Sequence, residues 1–222
     1  MSASDADGRP LVMIGAGGHA KVLHALALAA GRVIAGVCDP KLAEKGVTRW
    51  RGVPVLGGDD ALERFDPATV GLINGIGQIV RSDLRQLAYL RLRRAGFIFP
   101  ALVHPSAWVA PTVRLAQGVQ IMAGVVIQPD CCVGENSIIN TRVSLDHDCE
   151  VGAHAHIAPG ATLCGGVCVH DGAFVGSGAV VLPGVIVGYG AIVAAGTILT
   201  RNLDRGSTLL GAAARTKVRS AS

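Results

Sequence analysis

Seventeen consecutive six-residue blocks run from Val103 to Asp204 without interruption, and each opens on Val, Leu or Ile. A period of six fits neither the 3.6 residues of a helical turn nor the strict alternation of a half-buried strand. From Ala107 through Val113, Cys131, Ser137, Ala155 and Ala191 to Thr197, the fifth position of each block holds nothing bulkier than valine; Leu203 alone is larger. A large residue at one inward position and a small one at the next describe a narrow, filled prism. The fourth position is often glycine, as at 118, 124, 160, 166 and 172, where a corner with positive φ favours a residue without Cβ. Together these features predict a parallel β-helix whose short strands stack their aliphatic residues on the coils above and below. A Val/Gly-rich β-sandwich would show period-two alternation and irregular turns instead.

Before Ala101 the six-residue beat is absent and an α/β rhythm replaces it. Leu11 to Ile14 reads as a short buried strand, Gly15 to Gly18 as a glycine turn, and His19 to Ala30 as a helix. Val33 to Val37 forms a second strand ending at Cys38 and Asp39, and Val70 to Asn74 a third. A second helix is predicted over Ser82 to Ala95, with Leu84, Leu87, Ala88 and Leu92 as its buried stripe. The reading is a Rossmann-like N-terminal domain, residues 1–98, followed by an all-β domain, residues 99–222. The turn at Gly15-Ala16-Gly17-Gly18 offers free N–H groups and a helix N-terminus to a phosphate. With Asp39 after the second strand, NAD is conceivable, but the third glycine of a dinucleotide fingerprint is missing.

Half of the 222 residues are apolar, so a core is easily built, and the net charge of +4 is spread among acidic residues. With only eight aromatic residues and no dense basic stripe, a nucleic-acid partner is not expected. The longest apolar stretch, Val22 to Val37, is broken by His24, Gly31, Arg32 and Gly36, so no membrane span is expected. The polar start, Met1 to Pro10, lacks a signal-peptide core, which points to the cytoplasm. Six cysteines without paired CxxC modules fit that compartment as reduced thiols, with Cys131 and Cys149 stacked inward in adjacent coils.

The repeat, the opening Gly15-Ala16-Gly17-Gly18-His19-Ala20-Lys21, Asn140-Thr141 and Asp146-His147-Asp148 together resemble one group of hexapeptide-repeat acyltransferases. It is the sialic-acid O-acetyltransferase-like group, which includes N-acetyltransferases of nucleotide-linked 4-amino-4,6-dideoxy sugars of the bacillosamine or perosamine type. The resemblance implies a left-handed β-helix with eighteen residues per coil and a homotrimer with active sites between neighbouring prisms. It also implies acetyl-CoA as co-substrate and a nucleotide-linked amino sugar as acceptor.

Carried onto this sequence, Gly17, Gly18 and His19 would contact the diphosphate or sugar, and Asp39 the base. Gly77 would form the turn after the third strand, and Asn140 would position the sugar amine. His156, Gly165, Ser177 and Ala195 would contact acetyl-CoA. Amide formation needs a neutral nucleophile, a proton acceptor and donors for the developing oxyanion. His147 is the expected general base, with Asp148, or else Asp146, fixing its tautomer. Gly165 lies eighteen residues after His147, so it should sit one coil along, about 4.8 Å away, leaving room for a thioester.

Arg215 or Lys217, in a tail that departs from the family's Gly-x-Pro-Ala cap, would reach CoA phosphate. His147, His154, His156 and His170 could suggest zinc, but spacings of seven, two and fourteen do not stack them on one edge, and no metal is expected. His154 and His170 read as solvent-facing. An O-acetyltransferase acting on a sialic acid, a nucleotide-binding trimeric scaffold without chemistry, and a nicotinamide oxidoreductase are the alternatives.

Overall fold

The computed structural model describes residues 8–211. Its N-terminal head is a Rossmann-like sheet. Leu11–Ile14 (β1) is wholly buried and leads into the helix Gly18–Ala29 (α1). β1 pairs in parallel with Ile34–Cys38 (β2). A short helix, Pro40–Glu44 (α2), follows, and then a hairpin of Arg49–Trp50 (β3) and Val53–Gly57 (β4) extends the sheet. Gly71–Asn74 (β5) closes the other edge against β1, giving the order β3-β4-β2-β1-β5.

The hairpin was not expected from the sequence. Its two-residue turn, Arg51-Gly52, has φ of 48° and 84°, the doubly positive geometry that closes tight hairpins. Arginine does not advertise such a turn as Asn-Gly would.

The second predicted helix is present as Leu84–Arg94 (α3), but its buried stripe is different. Leu84 and Leu87 are 65% and 61% exposed, whereas Arg85, Tyr89 and Leu92 are buried. Spacings of four and three define that face as well as the leucine stripe does, so periodicity alone chose wrongly. What decides it is the partner surface. Tyr89 packs on Phe99 with ring centroids 4.7 Å apart, and its hydroxyl donates to Glu135 Oε2 at 3.0 Å. A side chain on Gly118 would meet the Tyr89 ring at 3.0 Å.

From Leu102 onward the chain winds into a left-handed, three-faced parallel β-helix. Face 1 carries the two-residue strands from Leu102–Val103 to Thr208–Leu209; face 2 runs from Trp108–Val109 to Ile198–Leu199; face 3 from Arg114–Leu115 to Ile186–Val187. Strands pair in register eighteen residues apart, as Val126 with Ser144 and Val151 with Val169. The last coil breaks the period: Ile192 pairs with Thr208 and Val187 with Leu203, both sixteen apart. The seventeenth block is therefore two residues short, and Leu203 stands at the start of a strand position. That explains why it was the one bulky residue in the fifth-position series.

The corners follow simple rules. Fourth-position residues adopt positive φ at every corner from Gly118 to Gly196, including the non-glycine residues Asp130, Asn136, Arg142, Asp148 and His154. The third position supplies no N–H to the ladder, which is why all five prolines of the repeat, 105, 111, 129, 159 and 183, stand there without cost. Cys131 and Cys149 are buried and reduced inside the prism. The head sits on face 1, where Leu23, Ile73, Leu102, Val119, Ile121 and Met122 form one continuous core.

Candidate active site

His147, Gly165, Ser177 and Ala195 all occupy the third position of a corner. At that position the backbone amide is unclaimed by the coil. The His147 amide is capped by Asp146 Oδ1 at 2.8 Å. The amides of Gly165, Ser177 and Ala195 have no acceptor among the described residues, so each presents a free donor.

His147 projects from the corner between faces 2 and 3 and is 64% exposed. Its Nδ1 lies 2.7 Å from Asp148 Oδ2. The bond to Asp148, and then the Asp146 charge, raise its pKa above the ordinary value. Asp148 holds this place from a corner φ of 58°, a conformation that costs about 1 kcal/mol or more for a residue with a Cβ.

Gly165 does stack one coil along. A Cβ there would lie 2.6 Å from both Cε1 and Nε2 of the imidazole. The missing side chain thus makes room for the histidine ring rather than for a thioester.

The remaining candidates gather elsewhere, on face 1 and the corner between faces 1 and 2. His19, at the start of α1, lies with Nε2 2.8 Å from Gln120 Oε1. Gln120 Nε2 donates to the Asn74 carbonyl at 2.9 Å, so His19 Nε2 carries the proton and Nδ1 is an acceptor. A Cβ on Gly77 would meet His19 Cβ at 3.2 Å, whereas Gly17 and Gly18 face open space. Asp39 is committed to structure: Oδ2 accepts from the Ala16 amide at 2.8 Å and Oδ1 from the Leu42 amide at 3.0 Å. It ties the glycine turn to α2, and only its second lone pairs remain for a ligand.

Asn140 Oδ1 accepts from the Thr141 amide at 2.8 Å, so its Nδ2 donates to His156 Nε2 at 3.1 Å. The His156 proton therefore sits on Nδ1, which is buried and has no partner. An orphaned buried donor costs about 1–3 kcal/mol. Burial lowers the His156 pKa to about 3, with His19 and then Arg85 adding to the effect. Burial, then Arg85, take His19 to about 4. Both are neutral at working pH. Ser177 and Ala195 line the same corner, as a Cβ on the neighbouring Gly176 would meet the Ala195 amide at 2.5 Å.

One chain therefore splits these candidates between two corners. His147, Asp148 and Gly165 are separated from Asn140, His156, Ser177 and Ala195 by the full width of face 2. Face 2 displays Trp108, Val126, Ser144, Thr162, Val180 and Ile198, with no charged residue.

Two further expectations need correction. His154 is not simply solvent-facing: its Nδ1 lies 3.0 Å from Asn136 Nδ2 and its ring meets Tyr89 edge-on. His170 stacks on Tyr189 at 4.3 Å. Among the described residues no group of three His, Cys, Asp or Glu is placed to hold a metal, and no helix is long and apolar enough to cross a membrane. Arg215 and Lys217 lie outside the described residues. Sequence reasoning missed the buried polar set of Asn74, Arg85, Gln120 and Asn136. Gln120, a polar residue between Leu102 and Ile138 in the outward ladder of face 1, was the available signal.

A β-helix with free corner amides, an exposed His–Asp pair and a glycine-turn α/β head defines a hexapeptide acyltransferase. Residues 10–85 match the family described as PglD N-terminal domain. A variant of perosamine N-acetyltransferase from Caulobacter crescentus, solved with CoA and GDP-perosamine, is 40% identical. The match covers 95% of this chain and 97% of that one, with a TM-score of 0.83. The acetyltransferase domain of PglB from Neisseria gonorrhoeae, in complex with acetyl coenzyme A, is 31% identical over 91% and 96% of the two chains, at 0.84. WeeI from Acinetobacter baumannii, 23% identical over 91% and 97% at 0.80, shares the fold. The chain belongs to the hexapeptide-repeat sugar N-acetyltransferases of the bacillosamine and perosamine type, and acetyl-CoA is its co-substrate.

Proposed function

We propose that this enzyme acetylates the 4-amino group of a nucleotide-linked 4-amino-4,6-dideoxy sugar such as GDP-perosamine, in the cytoplasm and as a homotrimer. The observation that carries the mechanism is the His147 imidazole lying on Gly165 with Asp148 behind it. Residues 1–98 seat the nucleotide sugar over Gly17, Gly18, His19, Asp39 and Gly77, and residues 99–222 hold acetyl-CoA along Ser177 and Ala195.

The neutral amine attacks the thioester carbonyl carbon and the C–N bond forms. The oxyanion that develops is met by the Gly165 N–H. His147 takes the proton from the nitrogen, the C–S bond breaks, and the imidazolium returns that proton to the departing thiolate, so CoA leaves as the thiol. Asp148 holds Nδ1 and stabilises the imidazolium. His156 Nδ1–H supplies the second donor to an acetyl-CoA oxygen, and Asn140 orients both His156 and the amine. Because the base and these groups stand on different corners, a second protomer's corner completes each site, and the uncharged face 2 supports packing between prisms.

Incubating the protein with acetyl-CoA and GDP-perosamine should release free thiol and add one acetyl group to the nucleotide sugar by mass. Thiol release without a modified sugar would contradict the assigned acceptor.

A further inference from the structure

Arg85 is out of water, yet among the described residues no carboxylate lies within ion-pair reach of it. Its Nη1 donates to the carbonyls of Asn74 and Ile76 at 2.8 and 2.7 Å, and its Nη2 to the carbonyl of Asn136 at 3.2 Å. Nε bonds nothing. A buried cation without a counter-charge is unfavourable, and an apolar side chain of similar volume would fill the space without that cost. Packing is therefore no explanation for it.

The explanation lies in what it joins. Asn74 and Ile76 begin the loop that presses Gly77 on His19, and Asn136 is a prism corner. Asn74 Nδ2 donates to Asn136 Oδ1 at 3.1 Å and Gln120 Nε2 to the Asn74 carbonyl, so these bonds and those of Arg85 tie the start of this loop to the prism. We propose that Arg85 is a positioning residue for the nucleotide sugar, pinning the loop at 74–77 to the prism at Asn136. This rests on the head being the nucleotide-sugar seat. A lysine ammonium cannot span both sets of carbonyls, and a methionine bonds neither.

In the full-length enzyme, Arg85→Lys and Arg85→Met should each raise KM for GDP-perosamine by about tenfold or more, with KM for acetyl-CoA within about twofold. A lower melting temperature with both KM values unchanged, as a merely structural arginine gives, would overturn the proposal. Should those variants fail to fold, Asn136→Gly cuts the Asn74–Asn136 bond at a φ of 57° that suits glycine. The same one-sided rise is expected, and an unchanged KM overturns the idea. If the wild type does not turn over GDP-perosamine, the substrate reading fails separately. Calorimetric binding of GDP then decides: weaker binding by Arg85→Met supports the proposal, and equal binding refutes it.

Discussion

His147 gains its chemistry from three neighbours: Asp148 on Nδ1, Asp146 on its amide, and the hydrogen of Gly165 where any other residue would put a carbon. Removing the base in His147→Ala should lower kcat by about 10²–10⁴-fold while acetyl-CoA binding, followed by calorimetry, stays intact. Retained turnover would remove the histidine from the mechanism. Because the base works in its neutral form and its pKa is raised, activity should climb with pH through that value. Asp148→Asn should move the acid limb to lower pH while slowing the plateau. Gly165→Ala should cost about 10²-fold in turnover, the scale of a 1 Å misplacement, with little change in melting temperature; normal kinetics would show that the imidazole needs no such clearance. The buried histidines act in the opposite sense. His19 and His156 titrate near 4 and 3 in the folded protein but near 6.5 unfolded, so the unfolded chain binds more protons between those values. Stability is full above pH 6.5 and falls as pH drops toward 4, by about 1.4 kcal/mol per pH unit for each histidine. His156→Leu should flatten that fall in a pH series of denaturant melts.

At the scale of elements, the repeat was legible because prism packing writes itself into every sixth residue, and short strands need no other signal. The Rossmann-like strands were legible because they are continuous apolar runs. What stayed hidden depended on a partner surface. The face of α3 was misread because Tyr89 and Arg85 are chosen by corner residues far along the chain, not by helix periodicity. Leu92→Ala should therefore cost about 2–5 kcal/mol, while Leu87→Ala stays within about 0.5 kcal/mol, as denaturant unfolding would show. The reverse order would restore the leucine stripe. Likewise His147 and Gly165 could be placed together by counting eighteen, whereas the bond from Asn140 to His156, sixteen residues apart, follows from side-chain reach and no period announces it.

At the scale of the whole molecule, the decisive feature is that one chain divides the groups of the proposed mechanism between two corners of a triangular prism. Counting along the chain could not say that these candidates fall on different edges until each was assigned to a face. If base and oxyanion donor come from one protomer and the amine-positioning pair from the next, single-site variants must complement. His147→Ala and His156→Leu should each be nearly inactive alone. Unfolded together in equal amounts and refolded into mixed oligomers, they should recover about a quarter of the wild-type rate, the share of sites with both half-sites intact. Mixed oligomers as inactive as either parent would contradict a site built from two chains.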